Sequence, residues 1–501
     1  MKPSRIRVFL SGCFFLALAL PPSTFCAGSN SPSVRISVSE AILSALEHNT
    51  AFRVQRLQPR IVKTREDVAR SFFDPVLFGG ISRDRQTGPQ FAFQSGTHST
   101  DEISRDGTTL KAGVMDTLPT GTRVELSGQT DVDHPVYNHT ASRVGLSVNQ
   151  PLLAGAGMNV NLAVLRQARL DTQISLHESR GFALALVAEV ERAYWAHVQN
   201  RNQIDVYRDS LRVAEQQLEE TRERIRVGKL PELEAVAAEA EVASRREGLI
   251  AAENQYAASR LRLLRLSLGS QPTTWALPLE TTDEPVSPDK PLDDVEAYVR
   301  SALAARPDLK QARLAHERGE LEVVRTRNGL LPKMDLFVTL GRSGYASSFD
   351  DSMEGREARG YDVGVGMQVA YPLKNRAAGA DYRRAVVSRL QAEEALTNLC
   401  QLAQEDVRVA WVMADGARAL ESAARVTQRL QERKLEAERA KFKEGKSTSL
   451  LVAQAERDVL ASKLSAIQAA VSTLTTQVDL YQKDGSLLTR HGLAGLIIPE
   501  E

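Results

Sequence analysis

The sequence predicts a mainly α-helical protein with a β-barrel portion, built from one plan used twice: helix, strands, long helical hairpin. Three observations predict it. The stretch SEAILSALEHNTAFRVQRLQPR returns about 257 residues on as EAYVRSALAARPDLKQARLAHERG, and later landmarks return at about 217. Arg-Val-Gly-Lys-Leu around Gly228 becomes Lys-Glu-Gly-Lys-Ser around Gly445, and Gln150-Pro151-Leu152 becomes Tyr371-Pro372-Leu373. The second observation is a sustained apolar period of seven, and the third is a period of two in the segments between.

Residues 1–26 read as a signal peptide. Lys2, Arg5 and Arg7 precede an apolar run to Leu20, and a cut after Cys26 leaves small residues at the recognition positions. Leu10-Ser11-Gly12-Cys13 also matches a lipobox, although the apolar run continues past it. Cys400 is then the single mature cysteine, which excludes an intrachain disulfide. Beyond the signal, no apolar run reaches the roughly 20 residues of a spanning helix. The mature chain is therefore either soluble or crosses a membrane as strands. Sixty-three basic residues balance sixty-three acidic ones, so no basic footprint points to nucleic acid.

The first repeat covers 37–269. An amphipathic helix is expected over 38–72, capped by Ser37 or Ser39 and ended at Asp74-Pro75. Strands follow over 76–150. In the second repeat, 293–484, the strands are expected over 333–371. There Val363, Val365, Met367 and Val369 alternate with Asp362, Gly364, Gly366 and Gln368. Apolar on one side and small or polar on the other is the pattern of a barrel strand between lipid and water. Alternation alone also fits a half-exposed sheet of a soluble domain.

Long helices come next. One is expected over 158–226, turning at Gly228 and returning over 232–269; the other runs 376–443, turns at Gly445 and returns over 447–483. Val190, His197, Ile204, Leu211, Leu218 and Ile225 recur every seventh residue, which demands left-handed supercoiling against neighbours. A helix of about 69 residues is roughly 100 Å long. The return helix of the first repeat and the helix at 293–328 add up to one such length, so these two are expected to stack end to end. Pro272, Pro278, Pro285, Pro288 and Pro291 mark 270–292 as an equatorial linker, and 485–501 as a tail is expected at the same level. At least four strands per chain cannot close a barrel, for which eight is about the minimum. The strands need other chains, and a closed ring is the usual solution.

This order of segments, repeated twice, resembles the TolC-like outer membrane efflux proteins (outer membrane factors). The resemblance rests on Pro75 and Pro332 at the helix ends, the QPLL and YPL segments, and the two glycine turns. It implies a homotrimer with a 12-stranded β-barrel in outer membrane lipid, continued by a 12-helix α-barrel in the periplasm. It implies a passive exit duct with no cofactor and no enzymatic reaction, joined to an inner membrane transporter through a periplasmic adaptor. The two glycine turns would be the adaptor-docking tips: Val227, Gly228, Lys229 and Leu230 in one, Glu444, Gly445, Lys446 and Ser447 in the other. Acidic gate residues of some relatives are replaced here by Leu451 and Gln454, which leaves Glu234 as a possible pore-entrance residue or an ordinary solvated helix residue. About 40 additional residues before Pro151, including the turn Leu118-Pro119-Thr120-Gly121, read as an extra hairpin.

Other motifs carry less. Gly445-Lys446-Ser447-Thr448 ends like a phosphate-binding loop, but Ala440 stands where that loop needs glycine. Asp131, Asp133, His134 and His139 cluster in sequence without a known metal-ligand spacing. No nucleophile, base and acid set is apparent. The rival reading is a periplasmic coiled-coil adaptor or scaffold, which needs no lipid-facing band.

Overall fold

The computed structural model describes residues 34–94, 97–134, 139–269, 274–276, 278–287, 291–354, 358–493 and 495. The signal segment, with Cys13, lies outside them. The first repeat begins with β1 (Val34–Ile36), α1 (Val38–His48) and α2 (Thr50–Arg70). Four strands follow: β2 (Val76–Gln94), β3 (Thr97–Thr117), β4 (Arg123–His134) and β5 (His139–Pro151). Its helical hairpin comprises a short α3 (Met158–Asn161), α4 (Ala163–Arg226) and α5 (Leu233–Ser267). β6 (Leu279–Thr281) lies in the inter-repeat segment. The second repeat contains α6 (Val295–Ala305), α7 (Pro307–Asn328), β7 (Lys333–Ala346), α8 (Phe349–Glu354), β8 (Ala358–Ala370), α9 (Arg376–Lys443) and α10 (Ser449–Lys483), before α11 (Leu487–Arg490) in the tail.

Each repeat opens with two helices where the sequence led us to expect one. Asn49 leaves the helix with ψ of 117° and caps α2, its side chain accepting from the Phe52 N–H at 3.1 Å. Pro307 makes the equivalent break, because proline disfavours a helical Arg306 yet suits the first position of α7.

The helices form four columns side by side. α2 and α5 make the first, α4 the second, α7 and α10 the third, and α9 the fourth. The short helices stack within their own repeats, which corrects the expected stacking of the first return helix on 293–328. Ser44 Oγ and Asn49 Nδ2 donate to the last carbonyls of α5, those of Ser267 (2.8 Å) and Leu266 (3.2 Å). These caps satisfy helix-end carbonyls that stacking across repeats would leave open. In the second repeat Ser301 Oγ donates to the Asp484 carbonyl at the end of α10.

The largest core lies at the level of these junctions. Ile42, Val187, Tyr194, Leu263, Leu264, Leu487 and Leu488 are all within it. The proline-rich segment contributes to it through β6, which pairs in parallel with β1, Val34 opposite Leu279. Tyr194 Oη donates within reach of Asp283 Oδ2 (2.8 Å) and the Ile36 carbonyl (3.0 Å), tying this small sheet to α4. Burial pushes the phenol up to about 12.

The remaining strands form one antiparallel sheet in the order β2-β3-β4-β5-β7-β8. Six strands among the described residues exceed the four per chain of a 12-stranded trimer. The surplus is the additional segment before Pro151, where Leu118–Thr122 closes the β3–β4 hairpin. Its Gly121 has φ of +91° and a Cβ there would lie 2.4 Å from the Gly155 carbonyl, so only glycine fits.

Candidate functional site

The register turns local alternation into two continuous faces. Leu77, Val114, Leu126, Leu146, Leu340 and Val363 lie opposite one another in a single row across all the strands of the sheet. Val148, Val338 and Val365 form part of the next row, and Leu336 and Met367 continue the face. These side chains are solvent-facing in the single chain: Leu77 is 81% exposed and Val365 68%. Apolar surface this continuous has to be covered by another apolar phase. At the outer end α8 lies on this same face, and Ser142 Oγ meets Ser352 Oγ at 2.7 Å, marking where the apolar band stops.

The opposite face is polar and its charges are paired across strands. Lys111 Nζ donates to Glu125 Oε1 at 2.9 Å, and Thr109 Oγ1 donates to Asp131 Oδ1 at 2.6 Å. Arg143 on β5 reaches over Gly341 to form a two-pronged ion pair with Asp362 on β8. A Cβ at Gly341 would sit 2.3 Å from Asp362 Oδ1, so the missing side chain makes room for that pair. Likewise the Phe337 ring covers Gly366, where a Cβ would approach within 2.3 Å of Cζ. The pairing of Arg143 with Asp362 joins the two repeats and was not anticipated. Its only trace in the sequence is that both residues occupy the polar side of an alternating run.

Asp131, one of the sequence-predicted metal candidates, is engaged by Thr109 and Gln129. The side chains of Asp133, His134 and His139 lie outside the described ones. Among the described residues no cluster of three or more His, Cys, Asp and Glu is placed to hold a metal ion. His197 is buried in the core, stacked on Tyr256 at 4.4 Å with Nδ1 2.9 Å from Ser259 Oγ. Burial pushes its pKa down to about 4.

The two glycine turns are the same structure. Gly228 has φ of +72° and Gly445 +74°. In each, the next residue donates to a carbonyl in the last helical turn, Lys229 to Arg224 and Lys446 to Lys441, both at 2.8 Å. The phosphate-loop likeness at Gly445 dissolves here: Lys446 pairs with Glu444, Ser447 donates to Glu438, and Thr448 caps α10. Glu234 is half-buried in the first turn of α5. Its Oε2 accepts from Ser449 Oγ at 2.7 Å, joining the first turns of α5 and α10. Arg224 stacks over Phe442 at 4.9 Å and joins the two turns again. Beside them Val227, Leu233, Val236, Leu450 and Leu451 are exposed.

Both edges of the helical slab are also apolar. Val54, Leu57, Ile61 and Val68 are exposed on α2, with Ile250 and Leu261 on α5 below, and Leu402, Val409, Val412 and Leu420 are exposed on α9. Along α5 the apolar residues Leu233, Val236, Ile250 and Leu261 are thus uncovered in one chain.

A two-faced sheet set on a slab of long helices with two apolar edges defines a class: a membrane channel subunit with an extended helical portion. The chain belongs to the outer membrane efflux protein family, whose sequence profile matches residues 117–270 and 298–486. Solved structures share the fold. The outer-membrane channel OprN is 18% identical with a TM-score of 0.68, each chain being 89% covered. The Campylobacter jejuni CmeC outer membrane channel is 15% identical with a TM-score of 0.67, covering 90% of this chain and 86% of its own. The open state of the Neisseria gonorrhoeae MtrE outer membrane channel is 16% identical with a TM-score of 0.62, covering 90% and 89%. No curated protein sequence matches the chain. The protein is thus an outer membrane efflux protein of the TolC-like family. The family is one of channel proteins and not of enzymes.

Proposed function

We propose that the chain forms, as a homotrimer, the passive exit duct of a tripartite efflux or type I secretion machine. The observation that carries this reading is the match between the two levels of the molecule. The sheet ends in open strands β2 and β8, and the helical slab ends in the apolar columns α2/α5 and α9. β2 continues directly from α2, and β8 leads directly into α9, so each open strand stands above an apolar helical edge. Closing one level with neighbouring copies closes the other. Three copies of four helical columns make a twelve-helix tunnel, and the polar sheet face becomes the lining of a water-filled barrel.

Such a duct does no chemistry of its own, and the energy for transport comes from an inner membrane transporter. A periplasmic adaptor docks at Val227, Gly228, Lys229, Leu230, Glu444, Gly445, Lys446 and Ser447, where rigid glycine turns present lysines beside exposed valine and leucine side chains. The adaptor-or-scaffold alternative for this chain itself gives no reason for an apolar row crossing every strand. Lys229→Glu combined with Lys446→Glu is expected to abolish export in cells while trimers still assemble in the outer membrane. Undiminished export by that double variant removes the tips from the docking site.

A further inference from the structure

We infer that the barrel of the assembled channel has eighteen strands, six from each chain, and is wider than a twelve-stranded barrel. This rests on the trimeric reading above and specifies its membrane wall. The alternative is that the surplus hairpin lies outside the wall, leaving four strands per chain. Three features of the sheet oppose that alternative.

First, the apolar row crosses the surplus hairpin β3–β4 and runs on to the edge strand β2. Leu77 on β2 and Val114 on β3 lie in register with Leu126, Leu146, Leu340 and Val363. Ile81 and Leu110 extend the apolar face of the same two strands, and Ile81 is 75% exposed. A hairpin standing in water has no need of apolar side chains on the level of the lipid band.

Second, the surplus hairpin lies inside the sheet, between β5 and β2, and β2 stands where the wall must close. β2 follows α2 after a few residues, and α2 belongs to the edge column of the slab. The inner strands β3, β4, β5 and β7 already have both neighbours within the chain among the described residues. Removing β3 and β4 from the wall would break the β2–β3 ladder, from Val76–Met115 to Gln94–Thr97, and the β4–β5 ladder, from Arg123–Asn149 to Asp133–His139.

Third, the band climbs as a tilted barrel requires. On β8 the apolar positions Tyr361 to Val369 are centred on Val365. On β2 the centre is Gly79, whose row passes through Ala112, Gly128, Val144 and Arg342 to Tyr361. β2 runs away from the helices and β8 runs toward them, so the alternation of direction continues across the seam between copies. At membrane level Gly79 then meets Val365 of the next copy, and the lumen-facing neighbours are Gly80 and Gly364. That stagger of four residues per copy corresponds to a tilt of about 25°, and strands about 4.8 Å apart then give a backbone diameter of about 30 Å for eighteen, against about 20 Å for twelve at the same tilt. Twelve helical columns about 9–10 Å apart form a ring of about 34–38 Å. An eighteen-stranded wall is therefore closer to the width of the helical tunnel than a twelve-stranded one is.

The test uses the full chain with Cys400→Ser as background. Gly80→Cys is combined in turn with Gly360→Cys, Gly364→Cys and Ala358→Cys, and oxidised outer membranes are run on denaturing gels. The expected result is covalent trimers, strongest for Gly80→Cys with Gly364→Cys, and a cryo-electron microscopy map of the detergent-purified trimer showing eighteen strands. Capture of β8 by Ser127→Cys on β4 and not by Gly80→Cys, or a map with twelve strands, overturns the inference while leaving the channel reading intact. A protein that is monomeric in the membrane overturns the channel reading itself.

Discussion

The two repeats agree in their long helices and differ in their strands. Val190 and Val407, 217 residues apart, are both fully buried in their helices. Tyr194 and Trp411, at the same spacing, both fasten the equatorial chain: one through its hydroxyl to Asp283, the other through Nε1 to the Asp293 carbonyl at 3.0 Å. The glycine turns are superimposable in conformation. Yet the first repeat supplies four strands to the sheet and the second only two. Helices in a supercoiled wall are held to one length and one register by packing on both flanks. A sheet accepts another antiparallel hairpin without disturbing the pairing of the rest, provided that the alternation of faces is kept. The difference therefore lies where the architecture tolerates it.

The comparison also exposes where equivalent positions diverge in chemistry. His197 corresponds to Ala414, and Ile204 to Glu421, all four being buried. Glu421 is held by Arg425 on its own helix and by Ser287 from the inter-repeat segment. The first repeat thus hides a titratable ring where the second has a methyl group.

The largest effects are expected in the membrane wall. Leu77→Arg on β2 and Val365→Arg on β8 should each destabilise the assembled barrel by about 2–4 kcal/mol, the cost of a cation facing lipid near the midplane. Denaturant or heat dissociation of trimers measures this. A neutral Leu77→Arg beside a damaging Val365→Arg would show that the repeats are unequal in the membrane as well as in strand number.

Acid should separate the repeats next. The folded pKa of His197 lies near 4, below its ordinary 6.5. The unfolded chain therefore binds the proton first, so stability is complete above about pH 6.5 and falls as the pH drops toward 4. The stability lost across that window is on the order of a few kcal/mol. Unfolding midpoints of wild type and His197→Leu, measured between pH 7 and 4.5, should converge as the pH falls. Parallel curves would mean that the imidazole is accessible to protons in the folded protein.

Smaller effects test the equatorial ties. Tyr194→Phe leaves Asp283 and the Ile36 carbonyl short of a donor in the core and should cost about 1–3 kcal/mol. Trp411→Phe, which keeps an aromatic ring and loses only a hydrogen bond exposed to water, should cost about 1 kcal/mol. Equal losses at both would mean that the two ties are equally shielded.

Much of the architecture is legible in the residues, because periodicity is a local signal. The seven-residue file from Val190 to Ile225, the alternation from Asp362 to Val369, and the glycine turns each announce their element within a short window. The order of the columns is less legible. The stacking of α5 on α2 depends on Ser44 and Asn49 capping carbonyls more than 200 residues away. The polar lining is least legible of all, since Arg143 and Asp362 meet only after two repeats have been placed in register across β7. The turns proposed for docking are locatable from their glycines, but the link from Glu234 to Ser449 needs the folded hairpins side by side.

Purified trimers reconstituted in a planar lipid bilayer put the conduit to its most direct test. Discrete single-channel steps are expected, with weak preference between small anions and cations, because on the polar face of the sheet Lys111 pairs with Glu125 and Arg143 with Asp362. A bilayer that stays silent with correctly assembled trimers inserted would contradict the assignment of this chain as a channel.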